Sequence, residues 1–378
     1  MPKLMLDDPD GTLVMLRDSV NGFAARFPGP KALRDRRGRG GAMDPQIWSA
    51  MAEAGWIGLL LPEDCGGAGL GLREQAVLSE ALGRALIAEP TGTASVFAAT
   101  LLGGASSGAE RSRLAAGMAS GEIVAVPAWT SGAKPIVARA VNGSIALSGE
   151  TRFVEAARSA TDFLVVAQDA DGVTLLSVAA DAAAVAISER AGVDGAAIAT
   201  VSFSNCAVPT ERVLSRANRS EDLLRKAILH TRLALAAELT GVASKALELA
   251  IAYTSDRVQF GKPIGSFQAI QHRLVDMWIE GEFAAAAVVN AVDALQSDDE
   301  DAAQLAVLAA KARAGEAAFS ICRRAVHLHG AMGYTDECDI GLYLKRAINL
   351  NATLGQPEQL RLEFVERESG LSRGRTYG

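Results

Sequence analysis

"DRVQFGKPIGSFQAIQ", residues 256–271, stands between two long alanine-rich stretches and holds an arginine, two phenylalanines, two glycines, a proline and three glutamines. A plain link between helices needs only polar residues and a stop signal. Upstream, "LLRKAILHTRLALAAELTGVASKALELAIAYTSDR" is long and periodic, as are "FQAIQHRLVDMWIEGEFAAAAVVNAVDAL" and "EDAAQLAVLAAKARAGEAAFSICRRAVHLHG" downstream. Helices with alanine on their faces approach closely. Residues 216–378 are therefore predicted to form an antiparallel four-helix bundle, with 256–271 as a specialised link inside it.

Before the bundle the texture changes. "EIVAVPAW", "SIALSGETRFV", "DFLVVAQDA", "GVTLLSVAA", "AVAISE" and "ATVSFSNCAVP" are short runs rich in Val, Ile, Leu and Thr. Turn signals separate them, "NGS" at Asn142 and "DADG" at Asp169. Residues 121–215 thus read as a small antiparallel β-barrel or sandwich. Residues 1–120 read as helical, with an Asp44-Pro45 start signal and Ile47, Met51 and Ala54 on one face. The fold class is α+β: an N-terminal helical domain, a middle β domain and a C-terminal bundle.

Composition excludes several functions. The chain has 378 residues, 49% hydrophobic and 21% charged, with a formal net charge of -7. That is ordinary for a globular protein and opposes nucleic acid as a main partner, which needs clustered Lys and Arg. The basic run "RDRRGRG", residues 34–40, reads as a solvated loop. The N-terminus has early acidic residues and no apolar signal region, and no stretch reaches membrane-spanning length. Cys65, Cys206, Cys322 and Cys338 are scattered, as thiols in a reducing compartment would be, and the expected location is cytoplasmic.

Some motifs match by letters only. "GASSG", residues 104–108, lacks the strand that a nucleophile elbow needs, and "GGAGLG", residues 66–71, follows no strand. His327 and His329, two apart, fall on different sides of a helix and suggest no metal site. The opening stretch carries more. Arg257 ends a helix, where a guanidinium can reach a pyrophosphate. Phe260-Gly261 sets a ring beside a residue without bulk, Pro263 and Gly265 turn the chain, and Gln268 and Gln271 open the next helix. From residue types alone, an elaborate but inert loop stays open as an alternative.

The combination resembles the acyl-CoA dehydrogenase family and its R-x-x-F-G…Q signature. "WSAMAEAGWIGLLLPEDCGGAGLG" is similar to the family's N-terminal helix and loop, and "RAVHLHGAMGYTDECDIGLYLKRA" to its C-terminal glycine motif. The resemblance covers nearly the whole chain and implies FAD as cofactor. It implies that the Arg-Phe-Gly segment serves an FAD seated mainly in a neighbouring subunit, with Arg257 at pyrophosphate, Phe260 against the cofactor and Gln268 hydrogen-bonded to it. His327, Gly330 and Ala331 occupy another dinucleotide-contacting stretch. The implied reaction is α,β-dehydrogenation of an acyl-CoA thioester. The implied partners are the acyl-CoA, a related subunit or a second copy in a dimer or tetramer, and an electron-transfer acceptor.

The resemblance also shows departures. The family's usual base, the Glu of a Y-E-G-T stretch, is replaced in "TLGQ" by Leu354, with Gly355 retained. The alternative base position, on the first bundle helix, holds Thr231, followed by the family's arginine as Arg232. Where many members read T-E-P-x-A-G-S-D, the chain has "VPAWTSGAK", and where they read W-I-T-N it has "FVEA". Those stretches normally meet the flavin ring; here Trp129, Thr130, Ser131 and Phe153 stand in them. The leading expectation is a base-lacking subunit of a heteromeric acyl-CoA dehydrogenase, of the kind used on bulky acyl-CoAs such as steroid side chains. The alternatives are a self-sufficient flavoenzyme of other chemistry, such as oxygenation, and a non-catalytic acyl-CoA-binding or structural subunit.

Overall fold

The computed structural model of the chain describes residues 1–129, 135–141 and 143–370. The helices are α1 (Thr12–Arg26), α2 (Gly29–Gly38), α3 (Pro45–Glu53), α4 (Leu72–Ala85), α5 (Ala98–Gly104), α6 (Ala109–Ser120), α7 (Ala217–Asp256), α8 (Gln268–Ala294), α9 (Glu300–His329), α10 (Ile340–Ala352) and α11 (Pro357–Glu368). The strands are β1 (Ala125–Ala128), β2 (Val137–Val141), β3 (Ser144–Glu155), β4 (Asp162–Asp169), β5 (Gly172–Ala179), β6 (Val185–Ala191), β7 (Ala197–Pro209), β8 (Val213–Arg216) and the short pair β9 (Val258–Gln259) and β10 (Lys262–Pro263). Two compact units emerge. Among the described residues, one holds 35–71 and 89–231, the other 1–34, 72–88 and 232–370.

The first unit is built on a sheet of order β6-β7-β3-β2-β4-β5-β8, with β1 also paired to β4. Along β7 buried and half-buried residues alternate, which turns Ala197, Ala199, Val201 and Phe203 inward. Phe203 meets Phe163 of β4 edge-on, ring centroids 6.4 Å apart. The sheet is mixed rather than wholly antiparallel, because β1 and β2 both run parallel to β4. The Ala125–Asp162 register joins segments far apart in sequence, so no local turn signal fixes its direction.

Near the N-terminus of this unit, Asp44 caps α3, its carboxylate accepting from the Gln46 amide at 2.9 Å. The basic run at 34–40 is a loop only at its last two residues, an exposed turn; the rest is helix. It forms the end of α2, where Arg36 is buried, donates to the Gly41 carbonyl at 3.1 Å and pairs with Glu89 at 3.9 Å.

The second unit is helical. Its helices cross where glycine removes the side chain. A Cβ on Gly241 of α7 would stand 1.9 Å from the Glu80 carbonyl oxygen of α4, and one on Gly83 would stand 2.2 Å from that of Glu238. Buried carboxylates are paired: Glu238 with Arg346 at 2.7 Å, and Glu80 with Arg17 at 3.2 Å. Burial pushes the Glu80 carboxyl above its usual range, against the pull of Arg17. On α8, Val275, Trp278, Ile279 and Phe283 form an exposed apolar stripe at helical spacing, and Phe319 of α9 is exposed as well. Gln268 and Gln271 head the same line of α8. Among the described residues, no helix is long and apolar enough to cross a membrane.

Candidate functional site

The link at 256–271 folds as a small projecting device. The Arg257 amide donates to the Tyr253 carbonyl at 2.9 Å and closes the last turn of α7. β9 and β10 then pair antiparallel around Phe260 and Gly261, whose φ angles are +53° and +79°. Two left-handed central residues are what a tight two-residue hairpin demands. Glycine meets that demand freely, whereas phenylalanine holds it under strain. Phe260 is 92% exposed and touches the ring of Phe267 edge-on at 6.3 Å. Lys262 places its ammonium 4.4 Å above the Phe267 ring. α8 starts at Gln268, as the sequence predicts. Among the described residues, the Arg257 guanidinium and the Gln268 amide make no hydrogen bond to the chain, and both side chains are exposed.

The second predicted stretch lies close by. His329 is buried, donates from Nδ1 to the Ala325 carbonyl at 2.7 Å, and stacks on Tyr253 with ring centroids 4.4 Å apart. His327, two residues earlier, is exposed, and its Nδ1 lies 3.5 Å from the Arg273 guanidinium of α8. These contacts tie the end of α9 to the last turn of α7 and the first turns of α8. Gly330 follows at φ +61° and ψ -139°, a conformation open essentially to glycine, and Ala331 is exposed beside it. Gly333 is equally constrained, because a Cβ there would stand 2.5 Å from the Val326 carbonyl oxygen. One end of the helical unit thus presents Arg257, Lys262, Arg273 and His327 together with bare backbone. This donor set suits an anionic, extended ligand such as a dinucleotide's phosphates.

The expected base turn is well built but carries no acid. Leu354 sits at φ +56° and Gly355 at φ +114°. The Leu354 carbonyl accepts from Arg232 Nε at 2.9 Å, while the rest of that guanidinium grips Glu363 in a two-pronged ion pair at 3.1 and 2.9 Å. Beneath the turn, the fully buried ammonium of Lys311 donates to the Leu350 carbonyl at 3.0 Å and lies within 3.5 Å of the Asn351 and Gly355 carbonyls. Burial, aided by the charge of Arg232, pulls the Lys311 pKa down to about 7. Thr231 is fully buried, and among the described residues its hydroxyl has no hydrogen-bond partner. Glu363, a carboxylate at this turn, is held by Arg232 and by Arg367 at 3.5 Å. Lys311 and Glu363 escape a reading of the sequence. A lone lysine amid the alanines of α9 is the one available signal for the first.

The β unit holds the remaining candidates, apart from Thr130 and Ser131, which lie outside the described residues. Trp129 stacks on Phe97, centroids 5.8 Å apart, and its carbonyl accepts from the Thr151 hydroxyl. Phe153 is 76% exposed at φ +61°, and Ala156 is also left-handed at φ +55°. Between them, Glu155 accepts from the Thr93 hydroxyl at 3.0 Å. Thr93 belongs to a π-helical turn, Gly92–Phe97, of a type common at functional sites.

Comparison with known proteins gives this geometry a lineage. Residues 11–122 match the family model of the acyl-CoA dehydrogenase N-terminal domain, and residues 222–367 that of the C-terminal domain. Acyl-CoA dehydrogenase IpdE2 of Mycolicibacterium smegmatis is 32% identical over 355 residues, covering 92% of this chain and 96% of its own. Acyl-CoA dehydrogenase FadE34 of Mycobacterium tuberculosis is 32% identical over 94% of this chain but only 47% of its own. Among solved structures, the Tcur3481–Tcur3483 steroid ACAD superposes with a TM-score of 0.85 at 28% identity, covering 95% of this chain and 98% of that one. The ChsE4–ChsE5 complex from Mycobacterium tuberculosis gives 0.86 at 25% identity, with 98% and 100% covered. By sequence and by fold, the chain belongs to the acyl-CoA dehydrogenase family of oxidoreductases.

Proposed function

We propose that this chain is the base-lacking subunit of a heteromeric acyl-CoA dehydrogenase, and that its Arg257–Phe260 segment completes an FAD site seated mainly in a related partner. The observation that carries this reading is a contrast within one unit. The base turn is rigidly held yet presents Leu354, while Arg257, Phe260 and Gln268 are displayed outward with Arg257 and Gln268 unbonded. The relatives point the same way. Two solved neighbours are two-component assemblies, and FadE34 is about twice this chain's length.

The members of the family use FAD, which when bound takes the hydride lost from the acyl β-carbon. In this chain Arg257 would hold the pyrophosphate, Gln268 would donate to the cofactor and Phe260 would lie against it. His327, Gly330 and Ala331 would line the dinucleotide nearby. The flavin-ring stretch fits poorly, because it offers a carboxylate at Glu155 and a solvent-facing ring at Phe153. The apolar stripe on α8 continues from Gln268 and suits the partner's surface. By analogy with the Tcur3481–Tcur3483 steroid ACAD, the substrate is a bulky acyl-CoA.

Two measurements test the reading. The chain purified alone should show little flavin absorbance, whereas the chain co-expressed with a partner from the same operon should be yellow. In that assembly, Arg257→Ala removes a charge-assisted hydrogen bond to phosphate, and FAD affinity should fall about ten-fold or more with folding unaffected. Flavin retention unchanged by Arg257→Ala would refute the role. Stoichiometric flavin in the chain alone would favour a self-sufficient flavoenzyme, and tight acyl-CoA binding without flavin a non-catalytic subunit.

A further inference from the structure

We infer that Glu155 closes this chain's own flavin-ring position. The inference rests on the family reading above, which places the ring against the stretches around residues 129 and 153–156. It concerns the ring half of the chain's own pocket, not the segment offered to the partner.

The argument is an account of hydrogen-bond donors. The edge of an oxidised isoalloxazine offers several acceptor atoms and a single N–H, so a protein rim that holds it must chiefly donate. An ionised carboxylate can only accept. Glu155 therefore meets the acceptor edge with more acceptors, where many relatives carry a hydroxyl. Among the described residues, the nearby hydroxyls give no compensation. Thr93 is 3.0 Å from Glu155 Oε2 and 3.4 Å from the Pro90 carbonyl, so its one proton is spent inside the chain whichever it chooses. Thr151 donates to the Trp129 carbonyl. The ring of Trp129 stacks on Phe97. Phe153, held at φ +61°, turns its ring to solvent. The donors described along this rim thus point inward, and the carboxylate of Glu155 has the wrong polarity of hydrogen bonding. Bringing the ring in would strip water from Glu155 and leave acceptors facing acceptors, an unpaired arrangement that costs more than a missing bond.

The test is a fluorescence titration of FAD into the purified chain without a partner, for the parent, Glu155→Gln and Glu155→Thr. Glutamine keeps the shape and the bond from Thr93 while adding an N–H donor, and threonine restores a hydroxyl. Circular dichroism melting checks that each variant is folded. Both variants are expected to bind FAD at least ten-fold more tightly than the parent. Folded variants that bind no more tightly than the parent would overturn the inference, as would a parent that already holds FAD stoichiometrically. Failure here is distinct from failure of the partner reading. Folded variants that bind FAD no more tightly than the parent, beside a co-expressed assembly that loses flavin on Arg257→Ala, would remove the role of Glu155 and leave that of Arg257 standing.

Discussion

Lys311→Glu is expected to leave no folded chain. The ammonium of Lys311 is wholly buried on α9 and faces three carbonyl oxygens, those of Leu350, Asn351 and Gly355. These are the last carbonyls of α10 and of the turn after it, where the helix dipole concentrates negative charge. A glutamate would set two more oxygens against them in a site closed to water. An uncompensated buried charge costs about 3–5 kcal/mol, and here it adds to three lost hydrogen-bond partners. A typical domain has only about 5–15 kcal/mol to lose. Expression of soluble protein and its thermal melting give the readout, and a variant melting within a few degrees of the parent would refute the clamp.

Lys311→Met supplies the companion measurement. The folded pKa, about 7, lies below the ordinary 10.5. Below pH 7 both states hold the proton and the burial penalty is fully present. Between about pH 7 and 10.5 the unfolded chain binds more protons than the folded one, so this group's contribution to stability improves as pH rises. The parent should therefore gain denaturant resistance from pH 6.5 to 9 relative to the methionine variant, which cannot titrate there.

The second large effect is a gain. Leu354→Glu restores a carboxylate on a turn whose backbone is already fixed, its carbonyl held by Arg232 and the neighbouring Gly355 carbonyl within reach of Lys311. The new side chain branches no earlier than leucine's, so the left-handed turn accepts it as it accepts leucine. A positioned general base supplies roughly 10²–10⁴-fold. The comparison uses flavin-loaded protein, with Glu155→Thr as background where the chain alone is colourless. Anaerobic acyl-CoA should bleach the long-wavelength flavin band of the Leu354→Glu variant. With Leu354 retained, bleaching should be at least a hundred-fold slower. Fast bleaching in the unmodified chain would show that another residue takes the α-proton and would end the missing-base argument.

What the sequence reveals follows how far apart the deciding residues lie. The hairpin at 256–271 is written locally: Gly261, Pro263 and Gly265 act on their own backbone, and α8 begins at the predicted glutamine. The helical and β stretches likewise declare themselves by period. The direction of β1 beside β4 does not, because its partner is remote and no turn joins the two. The end of α2 looks like a loop because its arginines are hydrophilic, and only the distant Glu89 shows why Arg36 is buried. At the site, Leu354 is conspicuous by the resemblance, yet the groups that hold its turn are invisible. Arg232 is 131 residues from Glu363, and Thr93 is 62 from Glu155. Pairs at such separations leave no local pattern.

The stripe of Val275, Trp278, Ile279 and Phe283 bears on how this chain must be manufactured. An exposed apolar stripe of this kind is an interaction surface when covered and an aggregation hazard when bare. On the heteromeric reading proposed above, copies made in excess of their counterpart would meet one another first and drift toward aggregates or proteolysis, so dosage would matter as much as affinity. Balanced output from neighbouring genes, translated side by side, would keep such orphans scarce. In the laboratory the same reasoning argues for dilute solutions whenever the chain is handled alone.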